Sequence, residues 1–569
     1  MDNSEVAALL AETALLMELA GSNPFKIRSF RKAADLISAL EEPLATVHAE
    51  GRLQKLPGVG KGIGGELAGL LESGKLAVLE ELREKVPRGL LEMTRIRGLG
   101  PAKVKKIHET LGISTLGELE YACLENRLMT LKGFGQKTQI SIMEELTRLR
   151  SYAGFFHIDY ALKALEAFLE HLEGCPGVIE AVISGDPRRY LEVVREGILV
   201  VGSEDRDGVR KACDTFEGMA EVVAQGERSI RCRLRGGLPV EVIVADPDEL
   251  PFLLLETTGS SAHLEELAAR AAQKGVTLGD RKMAATGARK RAAEAEKSIY
   301  ETLDLAYVPP ELREGAGEIE AAARGKLVDL VAAEDLKGIL HVHTEWSDGH
   351  ESIATMAEAA RDLGYQFLGI TDHSRTAWYA NGLSIERLQE QGAEIARLNA
   401  EFEGFRILHG VESDILPSGD LDYPQEVLEE LDFVIASVHS SFRMDRDTMT
   451  ARLIKAMEHP ATKVLGHPTG RLLLGREGYP LDMQAVLEAA VRLGVMIEIN
   501  ANPYRLDIDW RHLRRCRELE IPILINPDAH RIEGFDDVAY GIGIARKGGL
   551  DASAVANTLP VEELLALWR

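Results

Sequence analysis

The chain has 569 residues, a formal net charge of −25 and five cysteines. The length exceeds what one hydrophobic core supports, so we expect several domains. The charge excludes nucleic-acid binding over the whole surface, and no apolar run approaches the ~20 residues of a membrane-spanning helix. The cysteines form no metal-type or redox pair, and the acidic N-terminus carries no signal-peptide pattern. We therefore expect a cytoplasmic protein that does not bind membranes.

Charge is unevenly distributed along the chain. Residues 1–150 hold 21 Lys and Arg against 20 Asp and Glu, a net of +1, and the remainder holds 45 against 71, a net of −26. Residues 51–150 alone hold 17 against 12, a net of +5. This pattern is expected of an acidic protein in which one basic module contacts phosphates.

Apolar residues at helical spacing, as in Val6 to Leu19 and Phe30 to Leu40, predict a helical domain over residues 1–85 and a second over 86–150. Three similar turns punctuate these helices, and each has the pattern hydrophobic-x-Gly-hydrophobic-Gly: Leu56-Pro57-Gly58-Val59-Gly60-Lys61, Ile96-Arg97-Gly98-Leu99-Gly100-Pro101 and Leu131-Lys132-Gly133-Phe134-Gly135-Gln136. Each turn opens a new helix.

The three turns fit the helix-hairpin-helix pattern of sequence-independent DNA binders. Glycine permits a tight turn and close backbone approach, and the N–H groups at the following helix start can hold a phosphate. We therefore predict DNA contacts from the turn glycines and the lysines just downstream: Gly58, Gly60, Lys61, Gly98, Gly100, Lys103, Gly133, Gly135 and Lys137. The alternative is ordinary helix–helix turns with glycine C-caps.

The pattern changes after residue 150. A helical run and four strand-like runs predict a mixed α+β domain over residues 151–250: Ile158–Leu172, Val178–Ile183, Gly197–Val201, Ser229–Leu234 and Val240–Val244. Residues 251–307 return to mostly helix. Residues 308–335 contain Pro309-Pro310 and Gly315-Ala316-Gly317, which indicate a linker or docking segment.

Residues 336–569 alternate regularly between apolar, β-rich runs and helical patterns. Seven such runs occur: Ile339–His343, Phe367–Thr371, Arg406–Glu412, Phe433–His439, Lys463–His467, Val495–Asn500 and Pro522–Asn526. This alternation predicts a TIM-like barrel or a doubly wound sheet, with polar residues clustered where strands end. We favour a distorted barrel of about seven strands, because one site draws ligands from nearly every strand.

Nine potential metal ligands lie at the ends of these runs: His341, His343, Asp348, His373, Glu412, His439, His467, Asp528 and His530. His341 and His343 alternate on a strand, so both imidazoles face the same side. Mixed His and carboxylate ligands without thiolate suit Zn, Mn or Fe(II), and we expect two or three ions. A carboxylate such as Glu412 could bridge two ions, and such a site activates water for hydrolysis.

Three arginines near the ligands suit an anionic substrate: Arg443, Arg471 and Arg505. Each can make a bidentate contact with phosphate oxygens. The alternative for each is a role in stabilising a loop, or a position on the surface. For the catalytic set we predict six residues: His341, His343, Glu412, Arg471, Asp528 and His530.

Several motifs in the last 234 residues resemble those of a PHP (polymerase and histidinol phosphatase) domain: Leu340-His341-Val342-His343-Thr344, Thr371-Asp372-His373-Ser374, Glu412-Ser413-Asp414, Gly466-His467-Pro468-Thr469-Gly470-Arg471 and Asp528-Ala529-His530. The whole chain resembles bacterial family X DNA polymerases, and Asn23 to Ala34 resembles their opening. This resemblance implies an 8-kDa-like domain, helix-hairpin-helix elements, a palm, a thumb and a metal-dependent 3′–5′ exonuclease in the PHP domain.

The palm departs from the family pattern. Family palms carry Gly-Ser-x-Arg-Arg and three metal-binding Asp residues, whereas this chain has Gly185-Asp186-Pro187-Arg188-Arg189. The carboxylate positions fall at Glu196, Ile198 and Glu241, and Ile198 cannot bind a metal. Thr258-Gly259-Ser260 persists, but Glu256, Leu264 and Ala268 replace other family residues. We therefore predict that templated polymerase activity is lost, and that Mg²⁺ is needed only if the palm is active.

The leading hypothesis is a monomeric, metal-dependent DNA phosphoesterase of DNA repair that removes nucleotides or blocks from the 3′ ends of gapped or nicked DNA. A gap-filling polymerase that uses Glu196 and Glu241 is the second hypothesis. A non-catalytic DNA-binding scaffold is the third, and a small-molecule phosphatase the fourth. The sequence leaves open a deoxyribose-phosphate lyase in residues 1–85.

Overall fold

The computed structural model describes residues 1, 3–38, 40, 42–56, 59–96, 98–278 and 292–568. The chain forms two compact units, Met1–Leu146 and Thr147–Arg569. Within the described ranges, every helix is too short or too polar to traverse a lipid bilayer.

Short helices build the first unit: α1 (Asn3–Leu19), α2 (Pro24–Ser38), α3 (Leu44–Ala49), α4 (Lys61–Ser73), α5 (Ala77–Lys85), α6 (Arg88–Met93), α7 (Pro101–Leu111), α8 (Leu116–Leu124) and α9 (Gln136–Ala153), whose last residues belong to the second unit. Helix α2 buries Ile27, Phe30, Ala33, Ala34 and Ile37, whose helical spacing places them on one apolar face. Helix α8 begins at a capping box in which Thr115 and Glu118 satisfy each other's backbone N–H groups. The predicted helical N-terminal region is confirmed.

The second unit begins with an α+β domain, as predicted: β1 (Phe156–His157), α10 (Ile158–Glu173), β2 (Val178–Ser184), α11 (Gly185–Arg188), β3 (Val193–Val194), β4 (Gly197–Ser203), α12 (Arg206–Thr215), β5 (Met219–Gln225), β6 (Ser229–Leu234) and β7 (Pro239–Ala245). Its five-stranded sheet has the order β2-β4-β7-β6-β5, with β4 and β7 parallel and the other pairs antiparallel. Helix α10 packs on it through Leu165 and Phe168, which are fully buried.

Helices follow this domain: α13 (Leu250–Thr258), α14 (Ser261–Gln273), α15 (Ala292–Thr302) and α16 (Glu318–Ala323). Ile319 and Ala322 of α16 share a hydrophobic cluster with Leu255, Leu267 and Ile299. Part of the segment assigned to a linker therefore packs with the helices that precede it.

Seven parallel strands form the C-terminal sheet: β8 (Gly338–Val342), β9 (Phe367–Ile370), β10 (Arg406–Asp414), β11 (Phe433–Ser437), β12 (Thr462–Leu465), β13 (Met496–Asn500) and β14 (Ile523–Asn526). They pair in sequence order from β8 to β14. A parallel bridge between Val342 and Ala529 joins the two edges. The predicted seven-stranded barrel is confirmed, and it is nearly closed.

Eight helices accompany the barrel strands: α17 (Ile353–Asp362), α18 (Ile385–Glu401), α19 (Gln425–Leu428), α20 (Arg446–Met457), α21 (Met483–Leu493), α22 (Trp510–Glu518), α23 (Val538–Lys547) and α24 (Val561–Leu567). Leu340, Phe367 and Phe433 fill the barrel core, and the Phe433 ring stacks 5.2 Å from that of Trp568. Apolar side chains therefore fill the barrel interior around Phe433, while the carboxyl ends of the strands carry polar groups.

Gly369 in β9 allows the core side chains to approach closely. A Cβ atom there would lie 2.4 Å from Leu340 Cδ2 and 2.8 Å from Phe433 Cζ. We expect Gly369→Ala to destabilise the barrel by about 1–3 kcal/mol through overpacking. Circular dichroism should show a melting temperature several degrees lower. Gly174→Ala is the control, because its nearest contact would be an ordinary 3.5 Å. Equal melting temperatures for the two variants would contradict this packing.

Candidate metal centre and DNA-binding turns

Glu412 lies at the centre of the polar cluster at the strand ends and is 1% exposed. Its Oε1 atom lies 2.9 Å from His467 Nε2, 3.2 Å from His439 Nε2 and 3.3 Å from His341 Nε2. Its Oε2 atom lies 2.9 Å from His373 Nδ1 and 3.7 Å from His343 Nε2. One carboxylate thus contacts five imidazoles from four segments of the barrel, because His341 and His343 both lie at the end of β8.

The structure brings all nine predicted ligands together. They form four overlapping groups whose ligand atoms lie within 4.8 Å of one another: His343-Asp348-His373-His530, His341-Glu412-His467, His341-His343-Asp528 and His373-Glu412-His439. Shared residues between groups are typical of ions that share bridging ligands. Among the described residues, every group of this kind lies in the barrel.

The donor atoms fit metal ions. Among the described residues, several buried donor atoms in the cluster lack a hydrogen-bond partner, including His341 Nε2, both ring nitrogens of His343 and Asp348 Oδ2. Unpaired buried polar atoms are costly, and coordination to a cation would satisfy them. The spacings of about 3 Å around Glu412 also match ligand atoms that share one ion at about 2 Å each.

The shifted pKa values in the cluster favour an ionised carboxylate at Glu412 and a neutral imidazole at His343. Burial opposes the charge on Glu412, but His439, His341 and His373 hold its pKa well below the usual range. Burial and the neighbouring imidazoles of His530 and His373 lower the pKa of His343 to about 4. Neutral imidazole and ionised carboxylate are the forms that bind metals.

Three ligands have strained backbone conformations. His341, His467 and Asp528 have φ angles of +60°, +25° and +54°, in the left-handed region that side chains other than glycine avoid. Such conformations cost about 1–3 kcal/mol each and persist where the surrounding structure imposes them. The barrel therefore holds these ligands against local preference.

Outer carboxylates orient the ligands, and the sequence analysis did not assign them. His341 Nδ1 donates to Glu498 Oε1 at 2.6 Å, which leaves Nε2 for a metal. His439 Nδ1 donates to Asp414 Oδ1 at 2.5 Å. Burial disfavours the charged form of His439, but Glu412 and Asp414 raise its pKa to about 10. The sequence feature that could have indicated Glu498 is its position as a charged residue within an apolar run, which forms the fully buried strand β13.

The loop that carries Asp348 is held by Asp372. The backbone N–H groups of Thr344 and Ser347 donate to Asp372 Oδ1 at 2.8 and 3.1 Å. Gln391 Nε2 donates to Asp372 Oδ2 at 2.6 Å. Asp372 therefore positions a ligand loop, although its neighbour His373 was the residue that the sequence singled out.

The three predicted phosphate-binding arginines lie in different environments. Arg505 is 5% exposed, and its Nε atom lies 3.6 Å from Oδ2 of the ligand Asp528. Arg443 lies exposed on the loop after β11. Arg471 instead donates to the carbonyl oxygens of Arg505 and Leu506. Of the three, Arg505 contacts the ligand cluster and Arg471 contacts protein groups.

The glycine turns of the first unit start helices as predicted. Gly60 and Gly100 are the N-caps of α4 and α7, and α9 follows Gly135. Gly98 and Gly133 have φ angles of +87° and +97°, which explains glycine there. Pro57 and Gly58 lie outside the described residues.

The turns are open on one side and anchored on the other. The intervening side chains Val59, Leu99 and Phe134 are buried. A Cβ atom at any of five turn glycines would meet nothing within 4 Å: Gly60, Gly98, Gly100, Gly133 and Gly135. An open turn before a helix start leaves room for a phosphate against its N–H groups.

The predicted lysines differ in exposure and contacts. Lys61 and Lys137 are exposed. Lys103 is half-buried, and its Nζ atom donates to the carbonyl oxygen of Gly98 at 3.0 Å. Lys103 therefore stabilises its own turn, whereas Lys61 and Lys137 extend into solvent.

Among the residues that the structure describes, the α+β domain holds no comparable ligand group. Ile198 pairs with Glu241 across β4 and β7, and its Cδ1 atom would lie 3.2 Å from a Cβ at Gly185. Glu241 faces Arg231 at 3.4 Å, Asp186 pairs with Arg189 at 2.7 Å, and Glu196 is exposed. An apolar side chain thus lies opposite Glu241 and next to the turn at Gly185.

The motif arginines of this domain pair with carboxylates of the following helical segment. Arg188 lies 2.8 Å from Glu296, and Arg189 lies 3.0 Å from Glu314. Burial opposes ionisation of Glu296, but Arg313 and Arg188 lower its pKa to about 2. These arginines hold the helical segment against the α+β domain.

Comparisons with known proteins divide the chain in the same way. Residues 1–76 match a helix-hairpin-helix domain, and residues 90–148 match a SAM-like helix-hairpin-helix tandem. Residues 253–314 match a DNA polymerase beta thumb, and residues 340–502 match a PHP domain. Together these matches define a multidomain enzyme class that acts on DNA and has a metal-dependent C-terminal domain.

Similar proteins extend this result. A "DNA polymerase/3'-5' exonuclease PolX" of Bacillus subtilis is 36% identical over 573 residues, which cover 100% of both chains. Probable phosphatases of Vibrio campbellii and Acetivibrio thermocellus are 28% and 30% identical, over 39% and 33% of this chain and 88% and 78% of their own. The chain belongs to the PolX family of DNA polymerases and 3′–5′ exonucleases.

We expect replacement of His341 and His343 by Ala to release at least one metal ion per chain, because three of the four ligand groups lose a member. Hydrolysis should be lost and DNA affinity retained. Mass spectrometry of the bound metals measures the change, and His459→Ala with His512→Ala is the matched control. Unchanged metal content in the His341 and His343 variant would contradict this assignment.

We expect Lys61→Glu with Lys137→Glu to weaken DNA binding and to reduce its salt dependence. Each lost phosphate contact lowers the slope of log affinity against log salt by about 0.9 on duplex DNA. Fluorescence anisotropy at several salt concentrations measures the slope. Lys75→Glu with Lys85→Glu changes the charge equally, away from the turns, and should leave the slope near wild type. Equal slopes for both variants would exclude the turns as the binding surface.

Proposed function

We propose that the protein is a metal-dependent DNA phosphoesterase that removes nucleotides from 3′ ends. The observation that carries this proposal is the convergence of nine buried ligands around Glu412, with buried donor atoms that lack hydrogen bonds within the described residues. When bound, divalent ions there supply an activated water nucleophile and neutralise charge on the phosphoryl oxygens. We propose Mn, Zn or Fe, with two or three ions per chain.

The residues of the chain have separate tasks in this reaction. Glu498 accepts the Nδ1 proton of His341, and Asp414 accepts that of His439, so the other ring nitrogens remain directed at Glu412. Arg505 supplies a buried positive charge beside Asp528, where it can hold a phosphate oxygen of the substrate. We assign this role to Arg505 in place of Arg471, whose donors contact protein groups.

We further propose that the helix-hairpin-helix turns hold DNA through its backbone, without sequence preference. The supporting observation is the open front of each described turn and the exposure of Lys61 and Lys137. Gapped, nicked or single-stranded DNA with a 3′ end is the substrate that suits this combination. A monomer suffices, because both parts belong to one chain.

A gap-filling polymerase is the second candidate function, because the Bacillus subtilis relative carries polymerase in its name. Three features of the α+β domain argue against it here. Ile198 stands opposite Glu241, Asp186 adds negative charge to the motif that should hold a triphosphate, and Arg188 pairs with Glu296. We therefore propose that this domain no longer catalyses nucleotide transfer.

Incubation of end-labelled gapped DNA with Mn²⁺, with and without deoxynucleoside triphosphates, separates the two functions. We expect shortening from the 3′ end in both conditions and no template-dependent extension. A metal chelator should stop the shortening, because the ligands alone supply no nucleophile. Extension at rates typical of polymerases would restore the second candidate, and an unchanged substrate would reject the first.

A further inference from the structure

Two loops of the barrel contact the α+β domain. One loop, residues 468–473, follows the ligand His467, and the other, residues 501–509, carries Arg505. His157 of the α+β domain donates from Nε2 to the carbonyl oxygen of Leu473 at 2.9 Å. The His157 ring also lies 4.3 Å from that of Tyr504. Loops from two neighbouring strands of the metal centre are thus fixed to one domain outside the barrel.

Arg471 connects these loops to the α+β domain. Its guanidinium donates to the carbonyl oxygen of Arg505 at 2.9 Å and to that of Leu506. It also lies 2.7 Å from Asp509 Oδ2 and 3.3 Å from Oε1 of Glu192. The planar fork of arginine can satisfy carboxylates and carbonyls at once, which a lysine ammonium cannot.

Glu192 is itself held in place. It is 7% exposed, and its backbone carbonyl accepts a hydrogen bond from the Ile158 N–H at 3.1 Å, at the start of α10. Arg511 lies 3.6 Å from the same Oε1 atom. A largely buried carboxylate with two arginine partners makes charge-assisted contacts that are stronger than neutral hydrogen bonds.

A series of contacts therefore runs from the α+β domain to the metal centre. Glu192 orients Arg471, Arg471 holds the backbone of Arg505, and the Arg505 side chain lies 3.6 Å from the ligand Asp528. Arg505 is the group to which we assign phosphate binding. Displacement of such a group by about 1 Å can reduce a rate by about a hundredfold.

We propose that Glu192 is a positioning residue of the nuclease site, which acts from the α+β domain through Arg471 to place Arg505. This inference rests on the proposed function. It gives the polymerase-like domain a role that does not require nucleotide transfer. Glu192 is not one of the nine candidate ligands, and its carboxylate contacts Arg471 and Arg511.

The test is a double-mutant cycle between Glu192→Gln and Arg505→Gln, with removal of nucleotides from a 5′-labelled single-stranded oligonucleotide in Mn²⁺ as the readout. We expect Glu192→Gln alone to lower kcat about tenfold with metal content unchanged. In the Arg505→Gln background the same change should have no further effect, because its target is already absent. Glu192→Asp, which retains the charge, should restore part of the rate.

A second readout covers variants that are too slow to assay. Calorimetric titration with a deoxynucleoside 5′-monophosphate should show weaker binding in Glu192→Gln than in wild type, and no difference between Arg505→Gln and the double variant. Arg471→Lys should weaken binding similarly, which provides a second variant if Glu192→Gln does not fold. The matched control is Glu221→Gln, which removes an exposed pair with Arg233 in the same domain and should behave like wild type.

The outcomes separate this inference from the proposed function. A wild-type protein that hydrolyses neither the oligonucleotide nor a chromogenic phosphodiester would reject the nuclease itself. An active wild type with an equally active Glu192→Gln variant would overturn the positioning role alone. Additive losses in the cycle would overturn it as well, because Glu192 would then act independently of Arg505.

Discussion

The negative charge of the buried Glu412 carboxylate is the constraint on which the barrel site depends. A carboxylate removed from water needs compensating charge, and five imidazoles lie within 4 Å of its oxygens. These imidazoles compensate it only when protonated, whereas divalent ions compensate it at any pH at which they bind. In the function proposed above, metal binding would therefore stabilise the fold of this domain and offset the cost of the strained backbone at His341, His467 and Asp528.

The barrel and the clustering of the nine candidate ligands could be predicted from the sequence, because parallel strands carry their polar residues to one end and a candidate at each strand end needs no tertiary detail. The sequence did not predict Glu498 or Asp414 as partners of His341 and His439, since those pairings depend on which strands become neighbours. The contacts of the Arg471 side chain could not be predicted from the sequence either. Its partners Glu192 and Asp509 lie in two different domains, far apart along the chain.

The α+β domain keeps a regular strand register around the positions of the palm motifs. Its strand register places Ile198 opposite Glu241, so an apolar side chain stands at one of the three positions where the family pattern has a carboxylate. The motif arginines Arg188 and Arg189 now form ion pairs with Glu296 and Glu314. These ion pairs hold the following helical segment, and His157 of the same domain contacts a loop of the barrel.

The proposed function depends on a polynuclear metal centre in which Glu412 is a shared ligand. Anomalous X-ray diffraction from crystals soaked in Mn²⁺ tests it most directly, because it locates each ion without reference to activity. We expect at least two peaks within the cluster, with Glu412 oxygens about 2 Å from the nearest ions. A single peak away from Glu412, or none at the nine ligands, would contradict it.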